Sequence, residues 1–151
     1  LAKEGRIEKI YSPIDLNSHY FASPQSMTKA VADYCHNKKI DTPESQKDYF
    51  NLVFESLSGE YANTFESIKK LTMQNYTSIK IIGGGSRNSW LCQLTADKCK
   101  IPVITCHKEG TAIGNIMVQL LSEGKTNRDE LYKVVKNSYE EKIYYPSEIT
   151  H

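Results

Sequence analysis

The sequence has no apolar run that approaches the roughly 20 residues needed to span a bilayer, and its beginning, LAKEGRIEKIY, lacks the continuous apolar core of a signal peptide. It also lacks an excess of either charge, because 19 Lys and Arg face 18 Asp and Glu for a net charge of +1. The basic residues form no stripe of the kind that binds nucleic acid. These absences predict a cytoplasmic protein whose partners include neither a membrane nor a nucleic acid.

Cysteine spacing excludes a second group of proteins. The four cysteines, Cys35, Cys92, Cys99 and Cys106, form no CxxC pair and no Cys/His cluster at zinc-finger spacing. We therefore expect four reduced thiols, as is usual in the cytosol, and no metal site. Methionine is missing from the first position, where Leu1 stands, which suggests a fragment of a longer protein.

The chain does have the length and composition of one globular domain, with 151 residues of which 39% are hydrophobic and 25% charged. Residues 1–24 contain two prolines and are expected to be mostly irregular. Periodicity then predicts one helix over 24–35, capped by Ser23, and a longer one over about 43–71, capped by Thr42. Eight apolar residues at three- and four-residue steps predict a buried face on the longer helix: Phe50, Val53, Phe54, Leu57, Tyr61, Phe65, Ile68 and Leu71.

The second half of the chain reads as a strand at 79–83, a helix from Asn88 to Lys100 and a strand at 102–106. Such a βαβ unit requires parallel strands and a right-handed crossover. Two further helices are predicted in TAIGNIMVQLLSEG, ended by Gly124, and in NRDELYKVVKNSY, before a tail that contains Tyr and Pro. The predicted fold class is α/β, with a parallel βαβ core and an excess of helix.

Three consecutive glycines, Gly83, Gly84 and Gly85, follow the first strand of this unit. Glycine loses the most backbone freedom on folding, so three in a row predict a sharp turn or a close approach to a ligand such as phosphate. The dinucleotide-binding fingerprint fits poorly, because it needs a further glycine where Asn88 stands. The Gly-Lys-Thr at 124–126 follows a helix rather than a strand, so we interpret it as a helix end and not as a Walker A loop.

The stretch GGGSRNSWLCQLTAD at 83–97 resembles the adenosine-side loop of the FGGY carbohydrate kinases, which share the actin and hexokinase ATPase fold. IDLNSHYFASPQSM at 14–27, ESLSGEY at 55–61 and TAIGN at 111–115 resemble the C-terminal half of the rhamnulokinase branch, so the resemblance runs nearly end to end. It implies that 1–151 is a partial ribonuclease H-like domain of the actin/hexokinase type. The N-terminal sugar-binding domain and the opening strands of this domain would precede it.

This resemblance implies that the parent protein transfers the γ-phosphate of ATP to L-rhamnulose, giving L-rhamnulose 1-phosphate, with Mg²⁺ bridging the phosphates. Gly83, Gly84 and Gly85 would approach the phosphates, and Asn88 would meet adenine while also capping its helix. The family's catalytic base and sugar site lie N-terminal to the matched region. No catalytic residue is therefore assigned here, and the isolated chain is expected to be inactive.

Four other residues typical of the family, Gln93, Asp97, Asn115 and Gln119, are expected to hydrogen-bond helix to loop. The segment from Cys106 to Gly110 departs from the Gly-Pro-Val-Glu-Ala of rhamnulokinases and keeps only Glu109, which puts any role of this loop and of His107 in doubt. Two alternatives stay open. The chain could be a stand-alone, non-catalytic nucleotide-binding module, or part of another FGGY kinase that acts on xylulose, gluconate or glycerol.

Only two strands are identified, whereas a stable sheet usually needs three or more. We therefore expect an exposed sheet edge, at which the apolar Ile79, Ile81 and Val103 would form a template for self-association.

Overall fold

The computed structural model describes residues 11–106, 110–137 and 141–147. The chain divides into two compact units, Leu1–Gln74 and Asn75–His151. The first unit is helical, and the second holds a sheet with three further helices, so the predicted α/β class is confirmed. Nowhere in the described ranges is a helix both long and apolar enough to cross a bilayer.

The first unit contains a 3-10 turn at His19–Phe21 and two helices, α1 (Met27–Lys38) and α2 (Gln46–Thr72). Residues 11–18 are irregular, as predicted, while 1–10 lie outside the described residues.

Both helices begin three residues or so later than expected, so the predicted caps Ser23 and Thr42 are wrong. Ser26 caps α1 and Ser45 caps α2. The later start of α2 has a clear cause. Ser45 Oγ accepts a hydrogen bond from Asp48 N (3.2 Å), and the Asp48 carboxylate accepts one from Ser45 N (3.1 Å). This reciprocal capping box satisfies two backbone donors at once, whereas the third residue after Thr42 is Ser45, which has no carboxylate to complete such a box.

The core of the first unit forms where α1, the start of α2 and the irregular segment meet, and its buried members are Tyr11, Ile14, Val31, Tyr34, Cys35 and Leu52. Two backbone donors fix the irregular segment to the helices. Ile14 N donates to Ser56 Oγ (3.0 Å) and Asp15 N donates to Tyr34 Oη (3.0 Å). The segment is therefore ordered by helix side chains although it has no regular structure of its own.

The buried face predicted for α2 is largely wrong. Of the eight residues named for it, only Phe65 is buried, and four are exposed: Phe50, Tyr61, Ile68 and Leu71. The buried side of α2 instead carries Leu52 and Ser56, which meet the core of the first unit. Apolar spacing shows that a helix has a face to cover, but it does not show what covers it.

In the second unit the elements run β1 (Ile79–Ile82), α3 (Ser89–Cys99), β2 (Val103–Cys106), α4 (Gly110–Ser122), α5 (Arg128–Asn137) and β3 (Glu141–Tyr144). β1 and β2 are parallel, with Ile79 opposite Val103, so the βαβ unit is confirmed. β3 was not predicted. It pairs antiparallel with β2, with Tyr144 opposite Val103, and the sheet order is β1-β2-β3.

The helix α3 covers one face of this sheet, where Cys92 and Ala96 pack in a cluster with Val103 and Tyr144. Ile79 and Ile81 pack against the same cluster, so the residues expected to form an exposed template belong to a covered face. Strand side chains alternate between faces, and the neighbouring Ile82 and Ile143 are 66% and 43% exposed.

The third strand changes the expected edges of the sheet. β3 covers one side of β2, and the outer side of β1 has no strand beside it in the described part of the chain. Self-association through an exposed sheet edge therefore stays a prediction, with β1 as the strand concerned.

The prediction of reduced thiols is confirmed for three of the four cysteines. Cys35, Cys92 and Cys99 are buried thiols, and the side chain of Cys106 lies outside the described residues. Burial raises the pKa of the Cys35 and Cys92 thiols above the ordinary value of 9.0. Both side chains are therefore neutral members of the core.

Candidate functional site

The chain leaves β1 through Gly83, whose φ of +83° and ψ of −159° define a conformation essentially restricted to glycine. A short 3-10 turn, Gly84–Arg87, follows. The buried Ser86 closes it, because both its backbone N (3.2 Å) and its Oγ (2.6 Å) donate to the Gly83 carbonyl oxygen. Gly83 is thus explained by the backbone alone.

Gly84 and Gly85 are different from Gly83. Neither has a left-handed φ, and a Cβ added to either would meet nothing within 4 Å. Both are exposed. Neither the backbone conformation nor packing among the described residues therefore requires glycine at these two positions, and a group from solvent can reach the backbone there.

The helix α3 begins directly after this turn, and Asn88 caps it. Asn88 Oδ1 accepts a hydrogen bond from Leu91 N (3.1 Å), which confirms the predicted cap. This bond uses the side-chain carbonyl oxygen, whereas the NH₂ group of the same amide is a donor. The first turn of α3 has no acidic residue, so nothing there offsets the positive end of the helix dipole.

Trp90 is the second residue of α3 and is partly buried. Its Nε1 is buried and finds no hydrogen-bond partner in the described part of the chain. A buried donor without an acceptor carries a desolvation cost of about 1–3 kcal/mol. Nothing in the sequence pattern indicated this unpaired group.

Gln93 and Asp97 lie one turn apart on α3 and hold the segment that follows β3. Gln93 Nε2 donates to the carbonyl oxygen of Tyr145 (2.8 Å) and to Asp97 Oδ1 (3.0 Å). The same Asp97 oxygen accepts a hydrogen bond from Ser147 N (2.7 Å). The prediction that these two residues hydrogen-bond helix to loop is confirmed, and the loop is the C-terminal segment 145–147.

Two other sequence-predicted residues, Asn115 and Gln119, lie on α4 and not in the glycine turn. Asn115 and Gln119 are exposed on α4, and within the described ranges no side-chain hydrogen bond joins them to a loop. His107 and Glu109 lie outside the described residues. Over the same described ranges there is no group of three or more His, Cys, Asp or Glu side chains that could hold a metal ion.

The arrangement that results is a strand end, a glycine turn with two positions open to solvent, and a helix start without acidic side chains. Backbone N–H groups at a helix start, together with the dipole, favour the binding of an anion such as phosphate. The sequence predicted this site because its signal is local, in the glycines and Asn88. It also predicted that Gln93 and Asp97 hydrogen-bond helix to loop, but it did not identify the C-terminal segment as the loop, because that contact joins distant parts of the chain.

Comparison with known proteins agrees with this local pattern. The chain is 33% identical over 143 residues to the rhamnulokinase of Bacteroides thetaiotaomicron, covering 94% of this chain and 30% of that protein. It is 32% identical over 134 residues to the rhamnulokinase of Lactiplantibacillus plantarum, covering 88% and 28%. With that of Bacillus subtilis it shares 32% identity over 152 residues, covering 99% and 31%.

The chain thus spans about 30% of the length of these relatives. Residues 14–123 match the C-terminal domain of the FGGY carbohydrate kinases. This match takes in α1 to α4, the strands β1 and β2, and the glycine turn. The chain therefore belongs to the FGGY family of carbohydrate kinases.

Proposed function

We propose that this chain is the nucleotide-binding part of a sugar kinase, and that Gly83, Gly84 and Gly85 pass close to the phosphates of ATP. The observation that carries the proposal is the contrast within the turn. Gly83 is required by its backbone, whereas Gly84 and Gly85 are exposed and need no glycine for conformation or packing. A side chain at Gly84 would obstruct only a group that arrives from solvent.

The start of α3 supplies the donors that phosphate would use. The N–H groups of Ser89 and Trp90 precede the first intrahelical hydrogen bonds, and the dipole at this end favours negative charge. Asn88 is the proposed partner of adenine. Its NH₂ group can donate to the adenine ring while its Oδ1 atom keeps the cap bond to Leu91 N.

The metal in this proposal is Mg²⁺, which would neutralise charge on the phosphates of ATP. Mg²⁺ keeps several waters and is bound by one or two carboxylates together with substrate phosphates. On this proposal it therefore needs no cluster of ligands on this chain. We assign the base that takes the sugar hydroxyl proton, and the sugar pocket, to the rest of the kinase, and we expect the isolated chain to be inactive.

For the sugar we propose L-rhamnulose, with L-rhamnulose 1-phosphate as the product. Support comes from the relatives, which are named rhamnulokinases and align with 88% to 99% of this chain. On this proposal the chain is the C-terminal FGGY domain with a partial ribonuclease H-like fold, and the sugar-binding domain and the opening strands belong to the N-terminal part.

The nucleotide part of the proposal is tested by calorimetric titration of the purified chain with Mg·ATP. We expect saturable binding to the parent chain and a large loss in Gly84→Val. A parent chain that binds no ATP would contradict the proposed role of the turn.

The sugar part needs an intact kinase. The full-length kinase that carries this chain should phosphorylate L-rhamnulose in preference to xylulose, gluconate and glycerol, and a preference for one of these three would place the chain in another branch. Joining this chain to the N-terminal region of the Bacteroides thetaiotaomicron rhamnulokinase, in place of the matching third, tests whether the chain completes a kinase. Turnover of L-rhamnulose would support the kinase half, and a chimera that binds ATP without any turnover would favour the stand-alone module.

A further inference from the structure

We propose that Gln93 and Asp97 are positioning residues for the nucleotide. By clamping the C-terminal segment 145–147 to α3, they fix the helix whose other end carries Asn88 and the glycine turn. This inference rests on the proposed nucleotide-binding function and adds to it a role for a segment that lies beyond the matched domain, residues 14–123.

The clamp is built from four hydrogen bonds made by the side chains of Gln93 and Asp97. Asp97 Oδ1 accepts from Ser147 N at 2.7 Å and from Gln93 Nε2 at 3.0 Å. Gln93 Nε2 also donates to the Tyr145 carbonyl oxygen at 2.8 Å and to Ser147 Oγ at 3.4 Å. The segment is thus held at two backbone positions, on either side of Pro146.

The clamp stands beside an apolar contact between the same two elements. Cys92 and Ala96, each one position before a clamp residue, pack with Tyr144, the last residue of β3. Residues four apart lie on one side of a helix, so α3 meets the C-terminal strand through two neighbouring stripes. One stripe is apolar and rests on the sheet, and the other is polar and holds the segment.

The helix then carries the effect of the clamp to the turn. Asn88 and Asp97 are separated by roughly 13 Å along the axis of α3, at 1.5 Å per residue. A change in the seating of the C-terminal half of a rigid helix moves its N-terminal end, where the cap bond from Leu91 N to Asn88 Oδ1 and the turn lie. The position of the phosphate donors therefore depends on whether segment 145–147 is in place.

If binding at the turn and docking of the segment are coupled, the coupling is reciprocal. Nucleotide should hold the segment down, and loss of the segment should weaken nucleotide binding. A clamp that only stabilises the fold makes a different prediction, because its loss would lower the melting temperature and leave the affinity of the folded chain unchanged.

The test uses two pairs of variants of the full 151-residue chain. Ser147→Pro removes the backbone donor to Asp97 without touching α3. Ser147→Ala loses the same hydroxyl, which accepts a long hydrogen bond from Gln93 Nε2 (3.4 Å), but keeps the backbone donor and so serves as the control. Asp97→Ala removes the acceptor, and Asp97→Asn keeps an acceptor oxygen of the same reach. Affinity for Mg·ATP is measured well below the melting temperature of every variant, with circular dichroism to verify equal helix content.

We expect Ser147→Pro and Asp97→Ala to bind Mg·ATP about fivefold or more weakly, and Ser147→Ala and Asp97→Asn to bind like the parent. In the parent, saturating Mg·ATP should slow hydrogen exchange at the Ser147 amide. A parent that binds while all four variants bind equally well would overturn the clamp proposal and leave the nucleotide proposal standing. A parent that binds no nucleotide would overturn both.

Discussion

Both α2 and α3 begin with a residue whose side chain caps the helix, but the surroundings of the two caps differ. In α2, Ser45 Oγ accepts from Asp48 N, and in α3, Asn88 Oδ1 accepts from Leu91 N, with nearly equal lengths of 3.2 and 3.1 Å. The difference lies in what surrounds the cap. The Asp48 carboxylate closes the first turn of α2, whereas the first turn of α3 has no acidic residue and follows three glycines.

This difference indicates what each helix start is for. A carboxylate at the first turn satisfies backbone donors, complements the dipole and repels phosphate, so the start of α2 is suited to stability and not to binding phosphate. The start of α3 has only the side-chain cap of Asn88, so its remaining backbone donors and its dipole stay available to a ligand. Variants that change stability and nucleotide binding separately test this interpretation.

The largest effect is expected for Gly84→Val. A branched side chain would stand where the phosphates approach, and we expect Mg·ATP affinity to fall about a hundredfold, which is about 2.7 kcal/mol. The melting temperature should change little, because a Cβ at Gly84 meets nothing within 4 Å and φ is not left-handed. Calorimetric titration and thermal unfolding measure the two quantities. Equal ATP binding in variant and parent would mean that the glycine turn has no role in nucleotide binding.

Gly83→Ala should give the opposite pattern and the next largest effect. Alanine is strained at φ +83° and ψ −159°, so we expect the free energy of unfolding to fall by about 1–3 kcal/mol. Gly124→Ala, at φ +64°, provides a second left-handed position away from the turn for comparison. Chemical denaturation measures both. If Gly83→Ala were as stable as the parent, the backbone would not explain this glycine.

Asn88→Ala and Ser45→Ala form a matched pair of cap deletions. Each should cost about 1 kcal/mol of unfolding free energy through the lost cap bond. Only Asn88→Ala should also reduce the preference for ATP over GTP, measured by competition with a fluorescent ATP analogue. An Asn88→Ala chain with unchanged nucleotide selectivity would reduce Asn88 to a cap, equivalent to Ser45.

The smallest effect is expected in the pH dependence of stability. Hydrogen bonding from the Ser45 side chain, with further contributions from the Ser45 backbone and Tyr11, lowers the pKa of Asp48 below its ordinary 3.8. A carboxyl group whose folded pKa is depressed contributes stability above its unfolded pKa and loses it as the pH falls through the folded value. We therefore expect Asp48→Asn to flatten the loss of stability below about pH 4, with Asp33→Asn as a control for charge. No change in the slope would contradict the capping box as its cause.

The path from β1 through the glycine turn and α3 to β2 could be predicted from sequence because each of its signals is local. The predicted strand 79–83 is β1 at Ile79–Ile82, and the predicted strand 102–106 is β2 at Val103–Cys106. The Asn88 cap was also predicted correctly. Short apolar runs, a glycine cluster and a cap residue each report on the few residues around them.

The rest depended on distant contacts that a pattern does not contain. β3 exists because Glu141–Tyr144 meets β2, and EKIY alone gives no sign of that partner. Phe50 and Leu71 of α2 show the same limit. Their spacing predicted that they are buried, but burial depends on a second element of the fold, which the pattern does not contain, and both are exposed. The different roles of Gly83 and Gly84 could not be predicted either, since the two glycines are distinguished by their backbone φ angles.

The late position of β3 in the chain has a consequence for biosynthesis. β1, α3 and β2 leave the ribosome before β3, and α4 and α5 must also emerge before Glu141 can meet Cys106 and Tyr144 can meet Val103. Pairing across so long an intervening segment is slow, and an unpaired strand edge invites aggregation. Until β3 arrives, β2 presents such an edge. We therefore expect nascent chains that end before Glu141 to depend on chaperones more than the finished chain does.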